Sequence, residues 1–361
     1  MKQYLLIGSG LIGRLLAWRL TLKGHRVSIL SSDDQVGMGS AGYIAAAMIS
    51  PATEAVQTEA KVKEIGNISA AIWPQWLADL PEPIFYQSNG TLVVAHAGDQ
   101  AEMERFTKRA QHVLSDNDYT QLSKAELKEK ELQLSQQFDN ALFFDDEACL
   151  DNRHLYSQLT TILSSSPLCD WQQCEEIDSL SDGVLDALSQ QYFSCSSGAF
   201  DEVIDCRGNG AKKDLEGLRS IRGEVIRVHA PEVNFKHAVR LIHPRYPMYL
   251  APRPNNEYFL GATVIESDDM SPVSVRSGLE LMSALYTINS GFAEARVLEM
   301  ASHCRPAMID NMPVVKRTNW GLQVNGLYRH GYLFSPAIIS DVLALLEGNE
   351  QAIKFWEFMH V

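Results

Sequence analysis

The sequence predicts a mixed α/β fold in which a parallel-sheet domain, begun at the first residues, is interrupted by a mainly antiparallel one. Three observations carry that expectation. Positions 4–30 run strand, glycine turn, helix, turn, strand; positions 220–261 hold short β-branched or aromatic runs separated by Pro, Asn and Gly; apolar strand and helix signals return after position 320. One α/β domain with insertions explains this order more simply than two consecutive domains.

The run Tyr4–Ile7 suits a strand buried on both faces, and Leu11, Leu15, Trp18 and Leu22 repeat at helical spacing until Lys23 and Gly24 stop the helix. Between them lies Gly8-Ser9-Gly10-Leu11-Ile12-Gly13, a G-x-G-x-x-G pattern in the strand–helix context that gives it a mechanism. Gly8 allows the turn, Gly10 lets a pyrophosphate approach the backbone, and Gly13 lets helix and strand pack closely. The helix N-terminus then offers N–H groups and partial positive charge to phosphates. A ribose-binding acid is expected after the second strand, but Ser31 and Ser32 stand there, followed by Asp33 and Asp34. Either Asp33 reaches back to the ribose or Ser31 makes a neutral hydrogen bond; Ser31 is the preferred of the two.

The small residues of 37–51 leave room for something bulky against the backbone. A helix is expected over 54–79 through Val62, Ile65, Ile68, Ile72 and Trp76, ended by Pro81 and Pro83. Ile84–Tyr86 and Thr91–Ala95 flank Ser-Asn-Gly and predict a hairpin. Helices follow over Asp99–Leu114 and Ser123–Leu132, the second with a Ser123/Glu126 capping box. Asn140–Phe144 is a strand, Asp151–Leu163 a helix, 164–197 short strands and loops, and Phe200–Asp205 a strand entering Cys-Arg-Gly-Asn-Gly at 206–210. Later come strands at Glu224–Val228, Val239–Ile242, Met248–Ala251 and Tyr258–Gly261, a helix over Val275–Ile288, a strand at Leu322–Asn325 and helices from about Pro336.

A formal net charge of −14 argues against a nucleic-acid or anionic-membrane surface, since both favour clustered Lys and Arg. The six cysteines form no C-x-x-C pair and no zinc spacing, and so read as reduced thiols of a cytoplasmic protein without a metal site. Positions 1–13 superficially resemble a signal peptide, but the glycine pattern occupies the place of a cleavage region. No run of eighteen apolar residues predicts a membrane span.

The fingerprint at 8–13 is joined by Ser-Ala and then Ala-Ala-Met-Ile-Ser-Pro up to position 51 and by Arg-Gly-Glu at 222–224. Tyr-Leu-Ala-Pro-Arg-Pro occupies 249–254, Gly-Ala-Thr-Val 261–264, Arg-Pro 305–306 and Gly-Leu-Tyr-Arg-His-Gly 326–331. Together, over nearly the full length, these resemble the FAD-dependent D-amino-acid oxidase superfamily, and within it the glycine oxidase branch.

The resemblance implies a glutathione-reductase-like, Rossmann-type FAD-binding domain from 1–82, 150–217 and 301–361. An inserted antiparallel-sheet substrate domain, 83–149 and 218–300, would lie over the flavin. FAD would be held by Gly8, Ser9, Gly10, Leu11, Ile12 and Gly13, by Ser31, Ser32 and Asp33, by Ser40, Ala41, Ala46, Ala47 and Met48, and by Cys174, Gly208, Arg305, Gly331, Tyr332 and Leu333. Tyr249 and Arg305 would grip the substrate carboxylate, with Arg329 lining the pocket. Hydride would pass from the amine-bearing carbon to flavin N5, giving an imine, so no catalytic side chain is required.

Physical chemistry supports Arg305 independently, because Pro306 keeps it extended and a guanidinium holds a carboxylate through two charge-assisted hydrogen bonds. In an extended segment Cys304 faces away from the side of Arg305, so the FAD is expected to be noncovalent even though related sarcosine oxidases attach it through a cysteine at the position of His303. His243, Arg245 and His330 read as packing or solvated groups, with His243 and Arg245 able to shape a pocket mouth. Departures from the family pattern include Leu327 where a His is usual, Tyr43-Ile44 and His303-Cys304. They motivate an alternative, a helper flavoprotein acting on a protein side chain in a tryptophylquinone-bearing amino-acid oxidase. A non-catalytic flavin-binding protein is the second alternative.

Overall fold

The structure, a computed structural model, describes residues 1–243 and 248–361; Arg245 lies outside them. Strand β1 (Gln3–Ile7) is followed by helix α1 (Leu11–Leu22) and strand β2 (Arg26–Ser31). The apolar run of β1 is buried beyond its first residue, because parallel neighbours flank it: Ile7 lies opposite Leu30 of β2 and Asp205 of strand Glu202–Asp205. Among the described residues this sheet has seven strands, extended by Cys169–Gln173 at one edge and by Leu322–Asn325, Val314–Arg317 and Met359–His360 at the other.

Helix α2 (Pro51–Gln57) and helix α3 (Ala60–Ala78) replace the single helix expected over 54–79. The break is at Thr58, whose hydroxyl donates to the Glu54 carbonyl and whose backbone leaves helical angles. The expected hairpin is also corrected. Tyr86–Gln87 pairs with Ala148–Leu150, whereas Thr91–Val94 pairs with Asn140–Phe144 and Ala238–Leu241, because Gly90 N–H bonds the Glu147 carbonyl and turns the chain onto a third segment.

The second large sheet, nine-stranded among the described residues, is mainly antiparallel, as the β-rich run after 220 predicts. Its long strands are β3 (Arg219–His229), β4 (Met248–Pro252) and β5 (Arg296–Ala307). The sequence reading gave β5 no strand of its own; pairing along the whole of β3 holds it extended, with Ile221 opposite Arg305. A helix at Asp182–Phe193 was likewise unexpected in a Ser- and Gln-rich stretch, although Ser181 caps Val184 N–H and Leu185 is buried. Finally, helix α4 (Gly331–Leu346) begins five residues before Pro336. Pro336 cannot donate to the Tyr332 carbonyl, and Trp73 Nε1–H takes its place at 2.8 Å, so the helix runs through the proline.

Candidate active site

A cavity of about 570 Å³ lies between the glycine turn, the N-terminus of α4 and the strands β3, β4 and β5. At its inner end is the turn itself. Gly8 has φ +101°, and a Cβ there would come within 2.8 Å of the Cys206 backbone. A Cβ on Gly13 would come within 2.0 Å of the Gly8 carbonyl oxygen, so Gly13 packs helix on strand and does not line the cavity. Gly10 is the N-cap of α1 with no side-chain cap, and no acid stands in the first turn, which leaves the helix N–H groups open to an anion. Buried Arg14 braces the turn from behind, donating from Nε to the Ser9 carbonyl at 2.7 Å and stacking on Tyr156 and Trp171.

Ser31, Ser32 and Asp33 line the same end. Ser31 Oγ is already shared among Ser9 N–H, the Ser9 hydroxyl and Asp33 N–H. Asp33 Oδ1 accepts from Asp34 and Gly39 N–H groups at 2.9 Å each, but no group among the described residues donates to its buried Oδ2. That orphaned acceptor, beside an open helix N-terminus, fits the ribose and pyrophosphate of a dinucleotide. Ser40, Ala41, Ala46, Ala47, Met48, Gly208, Gly331, Tyr332 and Leu333 all line the cavity with the turn residues Ser9, Leu11 and Ile12. Cys174 does not; its N–H bonds the Ser31 carbonyl and its side chain packs with an apolar cluster behind the sheet.

The other end of the cavity is charged. Tyr249, Arg305 and Arg329 all reach it, as does Glu54 of α2, which the sequence reading did not single out. Glu54 is the hub. Its Oε1 accepts a very short hydrogen bond from the Tyr249 hydroxyl and lies 3.6 Å from Arg240; its Oε2 accepts from Arg329 Nε at 2.7 Å and bonds His330 Nε2 at 2.8 Å. Burial alone would raise this carboxyl, but Arg329, His330 and Arg240 hold it well below the usual carboxylate range. The same surroundings, chiefly burial, push the Tyr249 phenol up and the His330 imidazole down. Of the two roles the sequence left open for His330, packing or solvated, the structure has the buried one, and adds its bond to Glu54. The only sequence signal for Glu54 was an acid within the small and apolar run Pro-Ala-Thr-Glu-Ala-Val, which equally describes a helix's first turn.

Arg305 differs from its neighbours. It lies against Gly223 of β3, where an added Cβ would fall 2.1 Å from the guanidinium, and donates to the Thr263 carbonyl at 3.2 Å. No carboxylate lies within ion-pair distance of it among the described residues. Partial burial lowers its pKa. On the same strand, Cys304 Sγ turns away to the carbonyls of Ser267 and Asp269, while His303 Nε2 meets the Gly39 carbonyl at 2.8 Å.

An open βα turn with an orphaned acceptor, roofed by a sheet that brings to the same cavity an arginine with no carboxylate partner among the described residues, fits a dinucleotide-dependent enzyme. Residues 3–344 match the family described as FAD dependent oxidoreductase, and the chain belongs to it; FAD is its cofactor. Over 335 residues, 93% of each chain, it is 37% identical to a putative thiamine biosynthesis oxidoreductase ThiO of Rhizobium etli. The fold is shared with the glycine oxidase of Geobacillus kaustophilus, with a TM-score of 0.82 and 21% identity over 100% of this chain and 99% of that one. It is shared too with the iminodiacetate oxidase of Chelativorans sp. BNC1, with a TM-score of 0.77 and 20% identity over 99% and 98%. These matches favour neither the helper flavoprotein nor the non-catalytic binder.

Proposed function

We propose that this FAD-dependent oxidoreductase oxidises a small amino acid at the carbon bearing its nitrogen, giving an imine, with Arg305 holding the substrate carboxylate. The observation that carries this reading is the half-buried Arg305 guanidinium, which lines the cavity without a carboxylate partner among the described residues, whereas Arg329 is already paired with Glu54. A planar guanidinium at a cavity wall is the group best suited to a bidentate carboxylate. Bound FAD supplies the acceptor for the hydride leaving that carbon. The chain's own residues bind and orient: Gly8 to Ile12 and Asp33 hold the dinucleotide, Arg305 fixes the carboxylate, and Tyr249 and Arg329 form the wall beside it.

The FAD is read as noncovalent, since Cys304 Sγ is directed at two carbonyls and His303 is held by Gly39. The FAD domain is read as 1–82, 150–217 and 301–361, with β5 pairing across to the substrate sheet. Six free cysteines suit a reducing cytoplasm, and no helix among the described residues is long and apolar enough to cross a membrane. The names of the relatives, glycine oxidase and thiamine biosynthesis oxidoreductase, make glycine and its N-methyl derivative the first substrates to try.

The test is anaerobic mixing of FAD-loaded protein with glycine, sarcosine and a panel of D-amino acids. The expected result is loss of the oxidised-flavin absorbance with at least one of them. Oxidised flavin persisting across the panel overturns the small-substrate reading.

A further inference from the structure

Glu54 does more than complete a hydrogen-bond network. Two arginines, Arg305 and Arg329, line the charged end of the cavity, and a third, Arg240, is buried against Glu54; an anionic substrate would be drawn toward the first two. Glu54 sits among them with its two oxygens divided: one toward Tyr249 and Arg240, the other toward Arg329 and His330. Arg329 is further occupied by Gln57, to whose side-chain oxygen its Nη2 donates at 3.2 Å, and Arg240 Nη1 donates to the Thr53 carbonyl at 2.8 Å.

We propose that Glu54 is a specificity-determining residue that restricts the site to substrates carrying one carboxylate. The inference rests on the reading of Arg305 as the carboxylate anchor. Glu54 neutralises Arg329 and takes the Tyr249 hydroxyl, which leaves Arg305 as the cavity-lining arginine without an acidic partner among the described residues. A second carboxylate on the substrate would have to lie beside the Glu54 carboxylate, in a buried setting where like charges repel strongly and water cannot screen them. The same carboxylate favours a substrate whose other end is cationic or neutral.

The experiment measures binding rather than turnover, so that changes in flavin reactivity do not enter. FAD-loaded protein is titrated with methoxyacetate and with oxydiacetate, which is the same ether skeleton carrying a second carboxylate, and binding is read from the flavin absorbance. Wild type is expected to bind methoxyacetate at least about tenfold more tightly. In Glu54→Gln, which keeps the shape and removes the charge, that ratio is expected to narrow by about tenfold or to invert, as Arg329 becomes available to the second carboxylate.

Wild-type protein that binds the two ligands equally, or prefers oxydiacetate, overturns the proposal even if the variant fails to load FAD. A loaded Glu54→Gln with an unchanged ratio overturns it too, since a merely structural role weakens both ligands alike. If neither ligand perturbs the flavin, the assignment of Arg305 falls as well; loss of selectivity alone removes only the role of Glu54.

Discussion

Two buried carboxylates, Glu54 and Glu147, are driven in opposite directions by their surroundings. Burial pushes both up, but Glu54 has Arg329, His330 and Arg240 against it and is held ionised. Glu147 is met mainly by the N–H and hydroxyl of Thr53, and its pKa is raised to about 7. The folded protein therefore keeps the Glu147 proton between pH 4.5 and 7, where the unfolded chain releases it, and stability falls as pH rises through that window. Glu147→Gln should remove this slope: relative to wild type, the variant gains on the order of 3 kcal/mol between pH 4.5 and 8, read by chemical denaturation at each pH. Parallel slopes would show that Glu147 titrates normally. For Glu54 the sign reverses, since its stabilisation is present above the unfolded value near 4.5 and is lost only as pH falls through its depressed folded value. At the other end of the cavity, Asp33→Asn should weaken FAD binding about tenfold if Oδ2 accepts from the ribose, measured by titrating apoprotein with FAD. Unchanged affinity would return that role to Ser31.

At the scale of elements, the placement of Arg305 depends on a neighbouring strand that carries no acid or base at the position beside it. Gly223 of β3 is opposite His303 of β5, and its missing side chain is the space in which the Arg305 guanidinium lies. Gly223→Ala should displace that guanidinium while leaving the glycine turn intact. Carboxylate ligands are then expected to bind about tenfold or more weakly with FAD content unchanged, compared by the same flavin titration in variant and wild type. Equal affinity would mean that Arg305 has room to swing aside without loss. The helices show the same dependence on distant partners, since α4 tolerates Pro336 only because Trp73 of α3 supplies the missing donor.

For the whole molecule, the cavity is walled by segments from β1 to α4, so a ligand filling it ties together parts far apart in sequence. Free FAD at about one hundred times its dissociation constant should stabilise the folded state by about 2.7 kcal/mol, seen as a rise in the melting temperature of apoprotein with FAD concentration. No rise would mean that the apoprotein lacks a formed site. The sequence by itself determined the βαβ opening, the glycine turn, the antiparallel second sheet and Val275–Ile288, because each is written in local spacing of apolar residues and glycine. It pointed to Tyr249, Arg305 and Arg329 through short motifs, and all three reach one cavity. Local spacing could not place β5, whose extension comes from β3, or deny a hairpin at Gly90, whose partner is Glu147. Nor could it find Glu54, since a carboxylate becomes a hub only when Tyr249, Arg240, Arg329 and His330, roughly two hundred residues away or more, are folded against it out of water. Tertiary structure decided that charge arrangement because burial turns distant side chains into strong, unscreened neighbours.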